Sequence, residues 1–167
     1  MKRVLLTGMS GTGKSTVIRE LAARGHKGVD TDDGWCEPQP DGRQMWREDD
    51  IQILLDTEDA DVLFVAGCEE NQTRFHPQFD CIILLSAPLE TLLDRLATRT
   101  TNSYGRNPEE LRRFREDLDT VEPLLRGVAN HEVRTTWPLD EVVATVLNLA
   151  TGELTAPAET GERDGQA

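Results

Sequence analysis

Several scarcities in the sequence exclude whole classes of function. No apolar run reaches the roughly 18 residues that a membrane-spanning helix needs, so we expect no membrane partner. Cationic side chains are few, since 18 Lys and Arg stand against 31 Asp and Glu and give a formal charge of −13. Nucleic acids attract cationic proteins, so this balance argues against a nucleic acid partner as well. The sequence therefore predicts small partners that are held by a few local cations.

Cysteine is also scarce, and its spacing fits neither a disulfide framework nor a metal site. Cys36, Cys68 and Cys81 form no C-x-x-C pair and no zinc-binding pattern. The first predicted strand begins almost at once, which leaves no room for a secretion signal. An odd number of cysteines without such a signal predicts free thiols and a cytoplasmic protein.

A complete Walker A phosphate-binding loop is present near the start of the chain. Every fixed position of the template G-x-x-x-x-G-K-[ST] is filled between residues 8 and 15. An apolar run before it predicts a buried strand, and the segment after it predicts an amphipathic helix. Lys14 is expected to reach the β- and γ-phosphates, and the Ser15 hydroxyl to bind Mg²⁺. The predicted phosphate-binding residues are Gly8, Met9, Ser10, Gly11, Thr12, Gly13, Lys14, Ser15 and Thr16.

Strand and helix signals alternate along the rest of the chain. The predicted strands are 4–7, 28–30, 62–66, 81–85 and 133–136, and the predicted helices are 16–24, 46–57, 88–99, 108–125 and 139–149. Such alternation predicts an α/β domain with three αβα layers and a parallel sheet over residues 1–150, with a short lid at about 100–108. A helix–loop–helix insertion over residues 35–57 is expected to cover the substrate side. Residues 151–167 are poor in large apolar side chains, which predicts a disordered acidic tail.

A cluster of carboxylates follows the predicted second strand. In an extended segment Asp30 and Asp32 point to the same side, at the sheet edge where α/β proteins bind ligands. We expect Asp30 to help place Mg²⁺ and Asp32 to accept the proton of an attacking hydroxyl. The alternative is a solvated acidic turn built on Asp33 and Gly34. The residues alone leave open which of the three aspartates is the base.

Arginines mark a second candidate segment. Arg95 and Arg99 are four residues apart and share one helix face, and Arg106 lies in the polar break that follows. The planar guanidinium can stabilise charge on a transferring phosphoryl group and can stack on a base. The alternative is a basic helix end that complements the helix dipole, followed by an ordinary loop.

These motifs together resemble the small P-loop kinases, the group that contains adenylate, shikimate and gluconate kinases. Residues 86–99, with a strand, a Pro-led helix and a D-R-φ-x-x-R ending, are similar to adenylate kinases. That similarity implies that Arg95 packs on the adenine and that Arg99 faces the phosphates from the lid hinge. Residues 30–32 resemble the D-[ST]-D of shikimate kinases, which implies that Asp32 contacts the acceptor hydroxyl.

The resemblance also has a departure. Ala66 stands where adenylate kinases have a carboxylate, which argues against a nucleoside monophosphate as acceptor. Arg47 corresponds loosely to an arginine that binds the substrate anion in this group.

The resemblance implies a P-loop NTPase fold and an enzyme that moves the γ-phosphoryl group of ATP to a hydroxyl or phosphate of a small molecule. ATP and Mg²⁺ are the expected cofactors, and the protein is expected to be a monomer or a homodimer. The alternatives are a nucleoside or nucleotide kinase and a nucleotide-binding regulatory ATPase. The predicted catalytic residues are Lys14, Asp32, Arg99 and Arg106, Arg95 joins the ATP-binding set, and Ser15 and Asp30 are the predicted metal ligands.

Overall fold

The computed structural model describes residues 1–100 and 103–152, which form seven strands, six α-helices and one 3₁₀ segment. Residues 101 and 102 of the predicted lid, and the predicted tail from residue 153 onward, lie outside the described residues. In chain order the elements are β1 (Lys2–Thr7), α1 (Lys14–Ala23), β2 (Lys27–Asp30), β3 (Cys36–Pro38), β4 (Gln44–Trp46), α2 (Glu48–Asp56), β5 (Val62–Ala66), the 3₁₀ segment (Glu70–Gln78), β6 (Cys81–Ser86), α3 (Leu89–Thr98), α4 (Pro108–Thr120), α5 (Glu122–Val128), β7 (His131–Arg134) and α6 (Leu139–Thr151).

The central sheet is parallel and has the order β2-β5-β1-β6-β7. Strand β1 lies in the middle, so the loop that leaves its carboxyl end emerges at the centre of the sheet edge. The connection from β1 to β2 passes over β5, which lies between them in the sheet. Such a connection opens a crevice of the kind where α/β sheets bind ligands. The sheet therefore places residues 8–13 and residues 31–33 at the same edge.

Alternating side chains of the strands pack on the two faces of the sheet. Helices α1 and α6 cover one face, where Val4 and Leu6 belong to a buried cluster. Helix α2 and the 3₁₀ segment cover the other face, where Leu5 belongs to a second cluster. The predicted three-layer αβα fold is confirmed. Within the described residues, none of the helices is long and apolar enough to cross a membrane.

The predicted helix over residues 46–57 is present as α2, but the rest of the predicted helix–loop–helix insertion, over residues 35–45, is wrong. The chain instead forms a β3–β4 hairpin, and α2 begins only at Glu48. Trp46 belongs to β4 because it pairs with Cys36 of β3, and its N–H also donates to the side chain of a residue in a distant segment, Asn71 Oδ1, at 2.9 Å. The local helical pattern was overridden by this tertiary contact.

The predicted helix over residues 108–125 is two helices. Helix α4 ends at Thr120, and α5 restarts at Glu122 with Pro123 in its first turn. Proline has no N–H to donate and clashes with the preceding turn, so a single straight helix cannot pass through this position.

Candidate active site

The phosphate-binding loop joins the central strand β1 to the first turn of α1. Gly8, Gly11 and Gly13 all have positive φ angles, of 149°, 86° and 93°. A Cβ on Gly8 would also lie 2.4 Å from the carbonyl oxygen of Leu85 in β6, so only glycine fits there. The loop can therefore turn its backbone N–H groups toward an anion at the positive end of the α1 dipole.

Lys14 is the first residue of α1, and its side chain curls back over the loop. Its Nζ donates to the carbonyl oxygens of Gly8 at 2.6 Å and Met9 at 3.1 Å. These contacts hold the ammonium group beside the loop, where a triphosphate would lie.

A cavity of about 530 Å³ opens above the loop and joins most of the predicted site residues. Gly8 and Met9 are buried behind the loop, and Asp30 and Arg106 lie outside the cavity lining. The residues that line it are Ser10, Gly11, Thr12, Gly13, Lys14, Ser15, Thr16, Val17, Arg19, Asp32, Arg95, Thr98, Arg99, Thr135, Trp137, Leu139 and Val142.

The Arg95 guanidinium is fixed on one side of this cavity. It donates to Gly11 O at 3.1 Å and to both the Oγ1 and the carbonyl oxygen of Thr135, at 2.9 and 2.7 Å. These bonds tie α3 to the phosphate-binding loop and to the end of β7. They also hold the plane of the guanidinium in a set orientation.

Trp137 lines the same cavity and was not singled out from the sequence. It follows β7, and its side chain is 48% exposed. Its exposure is seen only in the structure, and the residues around it have no sequence motif that could have identified it.

Arg99 connects the phosphate-binding loop to the segment after α3. Its Nη1 donates to Ser10 Oγ at 3.1 Å, and its Nη2 donates to Tyr104 O at 2.9 Å. Arg106 donates in turn to the carbonyl oxygen of Arg99. Arg106 therefore lies next to Arg99 but outside the cavity lining, whereas Arg99 lines the cavity and also interacts electrostatically with Asp32.

Asp32 is the carboxylate of the predicted cluster that reaches the cavity. Asp32 is an exposed residue, but packing around its carboxyl group raises its pKa to about 6, helped by the charges of Glu69 and Asp30 and opposed by Lys14. A base with such a pKa is largely ionised at neutral pH and binds a proton more strongly than an ordinary aspartate.

Glu69 is the second site residue that sequence reasoning missed. Ligand atoms of Asp32, Cys36 and Glu69 all lie within 4.8 Å of one another. Burial and the same two carboxylates raise the pKa of the Cys36 thiol to about 12. Because a thiol must lose its proton to bind a metal tightly, this trio is a poor metal site.

The loop that carries Asp32 is held in place by the β3–β4 hairpin. Thr31 Oγ1 donates to the carbonyl oxygen of Ala66 at 2.8 Å and accepts from Trp46 Nε1 at 3.0 Å. A Cβ on Gly67 would lie only 2.7 Å from both the Thr31 hydroxyl and the Trp46 ring. This tight packing orients Asp32 toward the cavity, because its backbone neighbour Thr31 is fully buried.

Comparisons with known proteins agree with this architecture. Residues 4–118 match the family model of the AAA domain. None of the curated proteins matches the chain. Among solved structures, shikimate kinase from Acinetobacter baumannii in complex with shikimate is 19% identical, with a TM-score of 0.66 over 93% of this chain and 96% of that one.

Two further solved structures are similar. A gluconokinase from Sinorhizobium meliloti 1021 is 22% identical, with a TM-score of 0.63 over 90% of this chain and 94% of that one. A sugar kinase from Janibacter sp. HTCC2649 is 16% identical, with a TM-score of 0.57 over 89% of this chain and 94% of that one. At these identities the likeness shows the fold, and the expected resemblance to small P-loop kinases is confirmed at that level.

Proposed function

The chain belongs to the AAA domain family, and on that premise we propose that it is an ATP-dependent phosphotransferase that acts on a hydroxyl group of a small molecule. The observation that supports this most strongly is that the phosphate-binding loop and the Asp32 carboxylate line the same cavity. A hydrolytic ATPase also needs a group that receives the proton of its attacking water, so the carboxylate fits both reactions. What separates a kinase from an ATPase is transfer of the phosphoryl group to an acceptor hydroxyl instead of to water.

The donor half of the site consists of the phosphate-binding loop and of Arg95 and Trp137, two planar side chains that line the same cavity. The triphosphate binds the loop, with Lys14 on the β- and γ-phosphates, and the adenine lies between Arg95 and Trp137. The Ser15 hydroxyl lines the cavity and is an oxygen donor that Mg²⁺ prefers, so it fits that ion and would hold it. Asp30 lies outside the lining, and its Oδ1 accepts from the Asp32 N–H at 3.1 Å, so Asp30 would act on the ion through a water molecule. When bound, Mg²⁺ neutralises charge on the phosphates.

The acceptor half of the site centres on Asp32. Its carboxylate takes the proton of the acceptor hydroxyl, whose oxygen forms a bond to the γ-phosphorus while the bond to the β,γ-bridging oxygen breaks. ADP leaves, and the proton is later released from Asp32 to solvent. Lys14, Arg99 and Arg106 stabilise the charge that spreads over the phosphoryl oxygens in the transition state.

Acceptor-dependent ADP release tests this proposal. We expect ADP to form rapidly only when a suitable alcohol is present, in a screen across sugars, cyclitols, hydroxy acids and nucleosides. ATP hydrolysis at the same rate with and without every acceptor would contradict the kinase function and favour a regulatory ATPase. Turnover with nucleosides alone would identify a nucleoside kinase.

Replacing Trp137 with Ala tests the assignment of the adenine site. Stacking of a base on an aromatic side chain contributes about 1–3 kcal/mol, so we expect the Kd for ATP to rise roughly tenfold. The measurement is calorimetric titration with ATP, and Trp137→Phe serves as the control because it keeps an aromatic face. Equal affinity in the Ala variant and the parent protein would contradict this position for the base.

The pH dependence of turnover tests the ionisation of Asp32. The group must be deprotonated to act as a base, so activity is present above its pKa and is lost as the pH falls through about 6. Below that point kcat/KM for the acceptor should drop roughly tenfold per pH unit. The charged and titratable groups that face Asp32 are Lys14, Asp30, Cys36, Glu69 and Arg99. A rate that stays constant down to about pH 4, near the ordinary pKa of aspartate, would contradict the base assignment.

A further inference from the structure

We propose that the acceptor carries an amino group next to the hydroxyl that is phosphorylated, as amino sugars and aminocyclitols do, and that Glu69 selects this group. The inference rests on the proposed kinase function and specifies its acceptor. In this arrangement Asp32 accepts the proton of the hydroxyl, and Glu69 accepts a hydrogen bond from the ammonium group.

The spacing of the two carboxylates suits such an acceptor. Oxygens of Asp32 and Glu69 lie within 4.8 Å of each other, beside the cavity that Asp32 lines. A hydroxyl and an ammonium on adjacent carbons are close enough for each to hydrogen-bond one of these carboxylates at the usual N–H···O and O–H···O distances. A single hydroxyl would engage only one of them.

Glu69 is held in a fixed orientation next to Asp32. Its Oε2 accepts from the backbone N–H of Cys68 at 3.0 Å and lies 3.5 Å from Thr31 Oγ1, whose one proton is donated to Ala66 O. Thr31 is the fully buried residue that precedes Asp32, so both carboxylates depend on the same buried anchor. A carboxylate that is fixed in this way presents a preformed partner to a cation.

The charge around the acceptor half is negative. Each arginine of the hairpin and of the 3₁₀ segment, and the arginine just before α2, has a carboxylate within about 4 Å in a solvent-exposed pair, so these pairs give the region no net positive charge. This includes Arg47, which the resemblance matched to an anion-binding arginine. The pairs are Arg43–Glu70 at 3.2 Å, Arg47–Asp50 at 3.9 Å and Arg74–Glu48 at 2.9 Å.

An acidic acceptor would meet repulsion in this environment. Its carboxylate would approach Asp32 and Glu69. Lys14 and Arg99, which interact electrostatically with Asp32, are used by the triphosphate in the proposed site. An ammonium group would instead neutralise the pair of carboxylates. A positive charge on the acceptor thus favours binding beside the two carboxylates, and a negative charge on the acceptor is repelled by them.

Matched acceptor series test the inference. One series is glucosamine, glucose and gluconate, and the other is streptamine, inositol and quinate, each assayed for ADP release at pH 7 with ATP and Mg²⁺. We expect kcat/KM for the amine of at least one series to exceed that for its neutral and acidic counterparts by about tenfold or more, the usual advantage of a charge-assisted hydrogen bond.

The outcomes separate the inference from the function on which it rests. Acceptor-dependent ADP release that is equal or faster with the neutral or acidic compounds would overturn the amine selectivity and leave the kinase function standing. If no compound in either series raises ADP release, the amine inference fails, and the wider acceptor screen decides the kinase function separately.

Glu69→Gln tests the role of the residue itself, because it removes the charge and keeps the shape and an acceptor oxygen. We expect KM for the amine to rise about tenfold or more, while KM for the neutral counterpart and for ATP changes by less than about threefold. Glu70→Gln is the matched control, since Glu70 is the exposed neighbour that pairs with Arg43, and it should keep the amine preference. An equal loss with amine and neutral acceptors in Glu69→Gln would indicate a merely structural role and overturn the assignment.

Discussion

Replacing Asp32 with Asn is expected to lower the rate of phosphoryl transfer by about a hundredfold or more, the usual contribution of a positioned base. The amide has nearly the same shape, but it cannot accept the proton of the acceptor hydroxyl. Binding of ATP should stay nearly unchanged, because the phosphate-binding loop and Arg95 are not altered. Single-turnover transfer and calorimetric titration with ATP measure the two effects separately.

Asp33→Asn is the matched control for this prediction. Asp33 is the next carboxylate along the chain, is exposed, and does not line the cavity. Its variant should retain a rate within about twofold of the parent protein, as surface substitutions generally do. A rate in Asp32→Asn that equals the parent rate, or a larger loss in Asp33→Asn, would contradict the choice of Asp32 as base.

Replacing Arg99 with Ala is expected to lower kcat by about 10²–10³-fold, the effect of removing one preorganised donor to a developing charge. Arg99 is already placed for this role, because its Nη1 lies 3.1 Å from Ser10 Oγ in the phosphate-binding loop. The loss should fall mainly on kcat, with a smaller change in KM for ATP, because the interaction strengthens as charge moves to the phosphoryl oxygens.

Arg99→Lys distinguishes the charge of this residue from its geometry. Lysine keeps the positive charge but cannot reproduce the planar fork, so we expect a rate between those of the parent and the Ala variant. Because Arg99 also contacts Tyr104 and Arg106, the Tm of each variant must be compared with that of the parent. An Ala variant with normal Tm and normal kcat would show that Arg99 does not act on the transferring group.

The parts of the fold that depend on neighbouring residues could be predicted from the sequence. The phosphate-binding loop is a contiguous motif between a strand and a helix, and β5 was predicted over the residues that form it, Val62–Ala66. Buried parallel strands have uninterrupted apolar runs, and amphipathic helices repeat their apolar residues at helical spacing, so both signals are local.

The β3–β4 hairpin has a local turn signal at residues 40–42, but its strands are only three residues long and show no alternating pattern of their own. Its last residue, Trp46, is held by Asn71 and Thr31, which are 25 and 15 positions away in sequence. The local pattern over residues 46–57 favours a helix, and the sequence of that segment does not show that Trp46 will contact Asn71 and Thr31. Tertiary contacts therefore decided where the helix begins.

The residues of the candidate site also divide into those that local sequence patterns predict and those that only the folded structure brings together. Asp32, Arg95 and Arg99 were predicted because they follow recognisable elements, and the structure brings all three to one cavity. Glu69 and Trp137 were missed because their loops have no motif of their own. Their proximity to Asp32 and Arg95 arises only when the ends of β5, β2 and β7 meet at one edge of the sheet.

The fate of the γ-phosphoryl group tests the central claim most directly. Phosphorus NMR can follow ATP, Mg²⁺, the protein and the best acceptor from the screen, with Asp32→Asn as the inactive control. We predict that the γ-phosphate resonance is replaced by that of a phosphate monoester on the acceptor, with little inorganic phosphate. Inorganic phosphate that forms in step with ADP, with no phosphorylated acceptor, would contradict the account.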